Sequence, residues 1–306
     1  MTDVSVIIVN YNTLELTSQC VESIFEKTSG LNFEVIVVDN ASSDGSRDFF
    51  SEDKRIIYIY NKDNVGFGRA NNIGATKASG RYLFLLNSDT YLVNNAIYLI
   101  WNQMERLKAE GKDVACMGGM LYTNEMKIAH SYARFPSMGR TLWSYSFLPM
   151  LKKMHLPKGL APISNYAYNS QKENCFEVDT ITGADLMVDG DVINRCGLFD
   201  EEFFMYYEET EMQHRYMRSG YKRMIYKAPQ IVHLEGKSNT TFSPKRTTVI
   251  VRSMFLYFKK TQSPACYFVY KMAFKLAYLA SHVIAFPFTS GTCKEKTDQL
   301  LNIIKM

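Results

Sequence analysis

Three runs of aliphatic and β-branched residues in the N-terminal third each break off at a polar cluster. Val4 to Val9 gives way to Asn10-Tyr11-Asn12, Glu34 to Val38 to Asp39-Asn40, and Arg81 to Leu86 to Asn87-Ser88-Asp89. Near-continuous apolar runs suit strands buried on both faces, as in a parallel sheet. A further strand is expected at Ile56 to Tyr60. Helical spacing fills the gaps: Leu16, Cys20 and Ile24 in one segment, residues 69–79 closed by Gly80 in a second, and Asn94 to Lys108 in a third. Asn12 or Thr13 with Glu15 forms the pattern of a capping box for the first helix. Strands alternating with helices predict an α/β fold, a mostly parallel sheet with helices on both faces. Ligands of such sheets gather at the carboxyl ends of the strands. Three polar exits converging on one edge therefore predict a pocket there.

Patterns weaken over residues 121–175, which read as an irregular insertion or acceptor loop. Regular patterning returns at Val178 to Val188, and a helix is expected from Gly190 to Cys196. The segment Phe199 to Glu211 leads into a helix that ends at Ser219 with Gly220 as C-cap. Met224 to Tyr226 and Gln230 to Val232 read as two short strands.

Charge divides the chain. Its 306 residues carry a net charge of +4, too little to argue for nucleic acid. Residues 1–242 hold 25 Lys+Arg against 29 Asp+Glu, whereas residues 243–306 hold 10 against 2. A mildly acidic body thus carries a basic tail. Within the tail, residues 265–288 are apolar but contain Lys271, Lys275 and His282, so a membrane-spanning helix is not expected. At ~100° per residue those three side chains form a narrow stripe. Met272, Leu276, Leu279, Val283 and Ile284 lie away from it. The segment reads as a basic amphipathic helix, suited to an anionic membrane surface or to packing on the body or a second subunit. Six scattered cysteines without a C-x-x-C pair give no zinc or thiol-redox motif. The N-terminal apolar run is short and lacks a positive flank, so the chain reads as cytoplasmic.

Ordered blocks between about residues 4 and 240 resemble the inverting glycosyltransferases of family 2, which have the GT-A (Rossmann-like) fold. These are Val4 to Asn12, Val37 to Ser46, Asn64 to Gly74, Leu85 to Asp89, Gly183-Ala184-Asp185 through Phe204, and Tyr207 to Glu211. Within the family the blocks look most like rhamnosyltransferase-type enzymes of bacterial surface polysaccharide assembly. The resemblance implies a catalytic domain over 1–242, with a nucleotide-binding half (1–120) and an acceptor-binding half (121–242), followed by the helical amphipathic tail (243–306). It also implies a nucleotide-sugar donor, dTDP-rhamnose before UDP-hexose, and a lipid-linked or oligosaccharide acceptor. A Mg2+ or Mn2+ ion would assist. The expected setting is peripheral, at the cytoplasmic face of the inner membrane.

Asp39 can accept hydrogen bonds from a pyrimidine or ribose, or can shape an Asx-turn. The resemblance places it in the nucleoside pocket beside Tyr11 and Asn12. Arg69 follows Gly66-Phe67-Gly68 and can contact base or diphosphate, or form a surface ion pair. Asn71 is either a donor contact or a loop or helix stabiliser. Asn87-Ser88-Asp89 stands where the family carries its Asp-x-Asp metal motif. Asp89 is the candidate ligand, or else a helix N-cap, and Asn87 offers only a neutral carbonyl in place of the family's first Asp. Glu208-Glu209 stands at the family's acidic pair. Glu209 is the candidate general base, against a plain helix-dipole role for both. In some related enzymes a histidine in the place of His233 completes the metal site. Asp185 faces the sugars or sits in an ordinary turn. Two rival functions remain. A sugar-phosphate nucleotidyltransferase would need a Gly-, Arg- and Lys-containing loop where this chain has Asn10 to Glu15. A catalytically silent partner in polysaccharide assembly is kept open by Asn87.

Overall fold

The structure is a computed structural model describing residues 1–146, 173–234, 244–285 and 293–306. In chain order the elements are β1 (Val4–Asn10), α1 (Leu14–Lys27), β2 (Phe33–Asp39), α2 (Ser46–Glu52), β3 (Ile56–Tyr60), α3 (Phe67–Ala75), β4 (Tyr82–Asn87), β5 (Thr90–Leu92), α4 (Ala96–Ala109), β6 (Val114–Tyr122) and β7 (Tyr132–Ala133). There follow α5 (Met138–Tyr145), β8 (Cys175–Glu177), β9 (Thr180–Ile181), β10 (Asp185–Asp189), α6 (Gly190–Cys196), α7 (Glu208–Arg218), β11 (Lys222–His233), α8 (Pro244–Thr261), α9 (Pro264–Ala285) and α10 (Cys293–Lys305).

Among the described residues, one compact unit comprises 1–134, 173–204 and 208–234. Its main sheet runs β3-β2-β1-β4-β10-β6-β11-β5, with β8 also paired to β11. The first four strands are parallel, as the sequence leads one to expect. The other half is mixed, because β10 runs antiparallel between β4 and β6 while β11 lies parallel to β6. Both faces are covered. Val4, Val6 and Ile8 join Cys20, Ile24, Ile97 and Ile100 on one side, and Ile7 joins Val38, Leu85, Ala70, Met212 and Tyr216 on the other. Burial on two faces is why these strands read as unbroken apolar runs.

Several local expectations are corrected. No capping box opens α1. Asn12 turns away with φ 53°, and the Leu14 N–H donates to Asp44 Oδ2 at 2.8 Å instead. Helix α3 stops at Ala75, because Lys77 and Ala78 donate to Gly74 and Ala75, the tighter spacing of a 3₁₀ turn. Strand β6 was hidden in sequence by Gly118 and Gly119, residues of low strand propensity. A Cβ at Gly118 would lie 2.6 Å from Ile181 Cγ2, so the strand omits one. The two short strands near the end are one strand, β11, with an irregularity between Tyr226 and Gln230. Of the insertion expected over 121–175, residues 147–172 lie outside the described residues.

The second unit comprises, as described, 135–146, 205–207, 244–285 and 293–306. Its core is aromatic: Phe255, Phe258, Tyr270 and Phe274 pack edge to face, with centroids 4.7 Å apart for Phe258 and Tyr270. Thr141 Oγ1 and the Tyr270 hydroxyl lie 2.7 Å apart. Among the described residues, no helix is long and apolar enough to cross a membrane.

Candidate functional site

The exits of β1, β2 and β4 are level. Asn10 pairs with Asp39, and Val9 with Asn87. Asn10 is buried and knots the edge together. Its Oδ1 accepts from Thr13 Oγ1 (2.9 Å) and Thr17 Oγ1 (2.7 Å), and its Nδ2 donates to Ser42 Oγ (3.0 Å). Asn12, expected to touch the donor, is committed to the neighbouring loop: its Oδ1 accepts from the Ser43 N–H at 2.8 Å. Its left-handed backbone is one that Asn tolerates. The Tyr11 ring is exposed at the rim. Asp39 is fully buried. One carboxylate oxygen accepts from the Ser42 N–H and the other from the Tyr58 hydroxyl, each at 2.8 Å. The loop-shaping geometry is therefore present.

Asn40 does the same for the loop before α3, and was not singled out from sequence. Its amide donates to Asn64 Oδ1 and Gly66 O and accepts from the Asn61 side chain and the Val65 N–H. The available signal was an asparagine at or just past three strand exits: positions 10, 40 and 87. Gly66 (φ +89°) lets Phe204 approach so closely that a Cβ there would lie 2.2 Å from Phe204 O. At Gly68 a Cβ would lie 3.5 Å from Glu208 Cβ. The start of α3 is thus pressed against the start of α7. Arg69 pairs with Glu201, Nε to Oε2 at 3.3 Å, and donates to the Glu201 carbonyl. Asn71 is buried and donates to Phe67 O at 3.0 Å, which stabilises α3.

Asp89 and His233 come together from opposite ends of the unit's sequence. His233 Nε2 lies 3.2 Å from Asp89 Oδ1, and the Leu234 N–H donates to the Asp89 carbonyl. The pairing of β5 with β11 sets this, with His233 opposite Thr90. Asp89 does not cap a helix, since β5 follows it and Asn95 precedes α4. Ser88 Oγ lies 3.2 Å from Thr13 Oγ1, and the half-buried Asn87 donates its N–H to Ala184 O at 3.0 Å.

Glu208 and Glu209 open α7, preceded by Tyr206 and Tyr207, both left-handed at φ 69° and 70°. Two such non-glycine residues in a row store strain, a frequent mark of functional sites. Glu208 is buried, and its Oε2 has no hydrogen-bond partner among the described residues. Burial, and then the Glu209 charge beside it, pushes the Glu208 carboxyl well above the usual carboxylate range. Glu209 is half-buried. Burial raises it too, against the opposing pull of its own backbone N–H and the Thr210 hydroxyl, which donates to it at 3.2 Å. A Cβ on Gly183 would meet Glu209 Cβ and Cγ at 3.7 Å, and the next residue, Ala184, is the one bonded to Asn87. The Gly183-Ala184 step thus joins the acid pair to the β4 exit. Glu211 is structural, held by Arg215 Nε at 2.9 Å.

Asp185 does not sit in an ordinary turn. It begins β10 with its side chain turned into the sheet, fully enclosed, one oxygen accepting from the Gly119 N–H at 2.7 Å. Burial pushes its carboxyl well above the ordinary range.

Among the described residues, no three His, Cys, Asp or Glu side chains gather as a metal cluster. Asp89 and His233 supply one carboxylate and one imidazole. Hard cations in phosphate sites commonly take one or two protein ligands and draw the rest from water and phosphate oxygens. The pair fits a cation of that kind.

Residues 5–167 match the family model Glycosyl transferase family 2, more than half of the 306 residues, and the chain belongs to that family. The low-salt glycan biosynthesis hexosyltransferase Agl10 of Haloferax volcanii is 28% identical over 223 residues, 71% of this chain and 62% of that protein. The Escherichia coli protein named UDP-Glc:alpha-D-GlcNAc-diphosphoundecaprenol beta-1,3-glucosyltransferase WfaP is 36% identical over 109 residues, 35% of this chain and 42% of its own. The chain spans less than two thirds of the length of the curated relatives it matches. The crystal structure of GalNAc-T7 with UDP, GalNAc and Mn2+ superposes with a TM-score of 0.57 at 14% identity, covering 100% of this chain and 56% of that one. That likeness identifies the GT-A fold.

Proposed function

We propose that this chain transfers a sugar, with inversion, from a nucleotide-diphosphate sugar to a hydroxyl of a lipid-linked or oligosaccharide acceptor in bacterial surface-glycan assembly. The observation that carries the reading is the meeting of two groups at one strand edge. The Asp89–His233 pair and the Glu208–Glu209 pair both flank the β4 exit. Tyr11, Asp39 and Arg69 hold the nucleotide on the β1–β2 side, with Asn12, Asn71, Asn87 and Ser88 shaping the floor. Glu209 takes the proton of the acceptor hydroxyl, a step that needs an ionised carboxylate within reach of it. Glu208, raised the further of the two, keeps its proton and spares the site a second charge. Asp89 and His233 would hold Mg2+ or Mn2+. Such an ion, when bound, offsets the charge that develops on the departing diphosphate.

The donor ranking is dTDP-rhamnose, then UDP-hexose. The diphosphoundecaprenol acceptor in the name of the E. coli relative supports a lipid-linked acceptor and peripheral work at the inner membrane. The second reading, a silent assembly partner, is favoured only by Asn87, a neutral side chain in place of an acid. Nucleotide diphosphate release from dTDP- and UDP-sugars, with Mn2+ and with chelator, decides between them. Release that depends on the cation supports transfer. No release from any donor, with the fold intact, supports the silent partner.

A further inference from the structure

Helix α9 has two apolar faces, and the second unit covers one of them. On the covered face Tyr270 and Phe274 are buried against Phe255 and Phe258. On the other, Phe268 and Val269 are each 66% exposed, Met272 45%, Leu276 65% and Leu279 39%. At ~100° per residue these five side chains fall within an arc of about 100°, so they form one continuous stripe along the 22-residue helix. Isolated exposed apolar residues are ordinary, whereas a contiguous stripe marks a surface that something covers. Val283 and Ile284, expected on the same side, have side chains outside the described residues.

Charge selects the occupant. Residues 244–285 contain seven Lys and Arg and no Asp or Glu. Lys271 and Lys275 border the stripe on the same helix. The Lys271 ammonium lies 5.8 Å from the ring centres of Phe255 and Tyr267. Burial, and then the charges of Lys275 and Lys259, loosen its hold on its proton. Like charges crowded beside an apolar stripe, with no acid on α8 or α9 to relieve them, suit an anionic surface. A second copy docked stripe to stripe would set lysine against lysine. No described helix is long and apolar enough to span, so the matching mode is a helix lying in the plane of a lipid surface.

We propose that α9 docks this protein onto an anionic lipid surface, burying Phe268, Val269, Met272, Leu276 and Leu279 among the acyl chains while Lys271 and Lys275 contact the headgroups. The proposal deepens the membrane-face reading above by naming the surface that makes the contact. Its test does not depend on transfer.

The full chain is sedimented with phosphatidylcholine vesicles, with and without phosphatidylglycerol. Binding is expected only with the anionic lipid and is expected to weaken with salt. The double variant Phe268→Glu/Leu276→Glu should lose it. Lys271→Ala/Lys275→Ala should bind about 30-fold more weakly, from ~1 kcal/mol per basic residue at such a surface. All four side chains are at least partly exposed, and an unchanged circular dichroism spectrum would verify the fold. Undiminished vesicle binding by both double variants would overturn the proposal. So would a wild-type dimer, seen by analytical ultracentrifugation, that the glutamate variant dissociates while no lipid binds. Vesicle binding without nucleotide diphosphate release from any donor would leave this inference standing and remove the activity.

Discussion

Asp39, at the exit of β2, and Glu208, at the start of α7, are both buried carboxylates. Asp39 has a donor on each oxygen, the Ser42 N–H and the Tyr58 hydroxyl. Glu208 has an oxygen with no partner among the described residues and a carboxyl group pushed well up by burial and by Glu209. A buried polar group without a partner is costly, and a chain retains one where an incoming group supplies the partner or where a shifted proton affinity is useful. The difference teaches that the β1–β2 side is preorganised as a rigid floor. The α7 side is held in a chemically poised state.

The largest expected effect falls on the poised side. Glu209→Gln should lower the transfer rate by about 10²–10⁴-fold, the usual worth of a positioned base, with melting temperature kept. Asp89→Asn comes next. If the Asp89–His233 pair holds the cation, transfer should drop by about a hundredfold and the Mn2+ concentration for half-maximal rate should rise. A titration of rate against Mn2+ checks both. On the rigid side, Asp39→Ala leaves the Ser42 N–H and Tyr58 hydroxyl without their acceptor. It should cost about 1–3 kcal/mol of stability in denaturant melts. Full stability in that variant would contradict the contrast.

The smallest effects are pH effects. Glu208 keeps its proton in the fold at pH values where the unfolded chain, near its ordinary 4.5, releases it. The folded state then binds more protons, so stability falls as pH rises above that value. Glu208→Gln removes this dependence, and its stability relative to the wild type should grow between pH 5 and 8. A flat difference across that window would show that Glu208 is not proton-bound. Because Glu209 is also raised and works only when ionised, the acid limb of the transfer rate should lie above pH 4.5.

The sequence made the parallel half of the sheet legible, since β1, β2 and β4 are buried on both faces and their exits are polar. It also pointed to Asp39, Asp89, Glu209 and His233 as candidates. What it concealed was tertiary. Gly118 and Gly119 masked a buried strand because their missing side chains make room for Ile181 and Asp185. Asp185 read as facing the sugars or sitting in a turn, whereas it opens strand β10, enclosed and bonded to the Gly119 N–H of a strand the sequence hid. Asn10 and Asn40 read as polar strand exits, but each joins segments more than twenty positions apart. Asn12 read as half of a capping box, whereas the acceptor for the first α1 N–H is Asp44, thirty residues on. Local patterns cannot announce partners that only the fold brings near.

The most direct measurement pairs turnover with ligand binding in one variant. Glu209→Gln is compared with the wild type for transfer rate and, by calorimetry, for affinity toward nucleoside diphosphate with Mn2+. A collapse of rate with unchanged affinity would place the base and the nucleotide site in one working cleft, as held here. An undiminished rate, or affinity lost in step with it, would mean that α7 plays no chemical part.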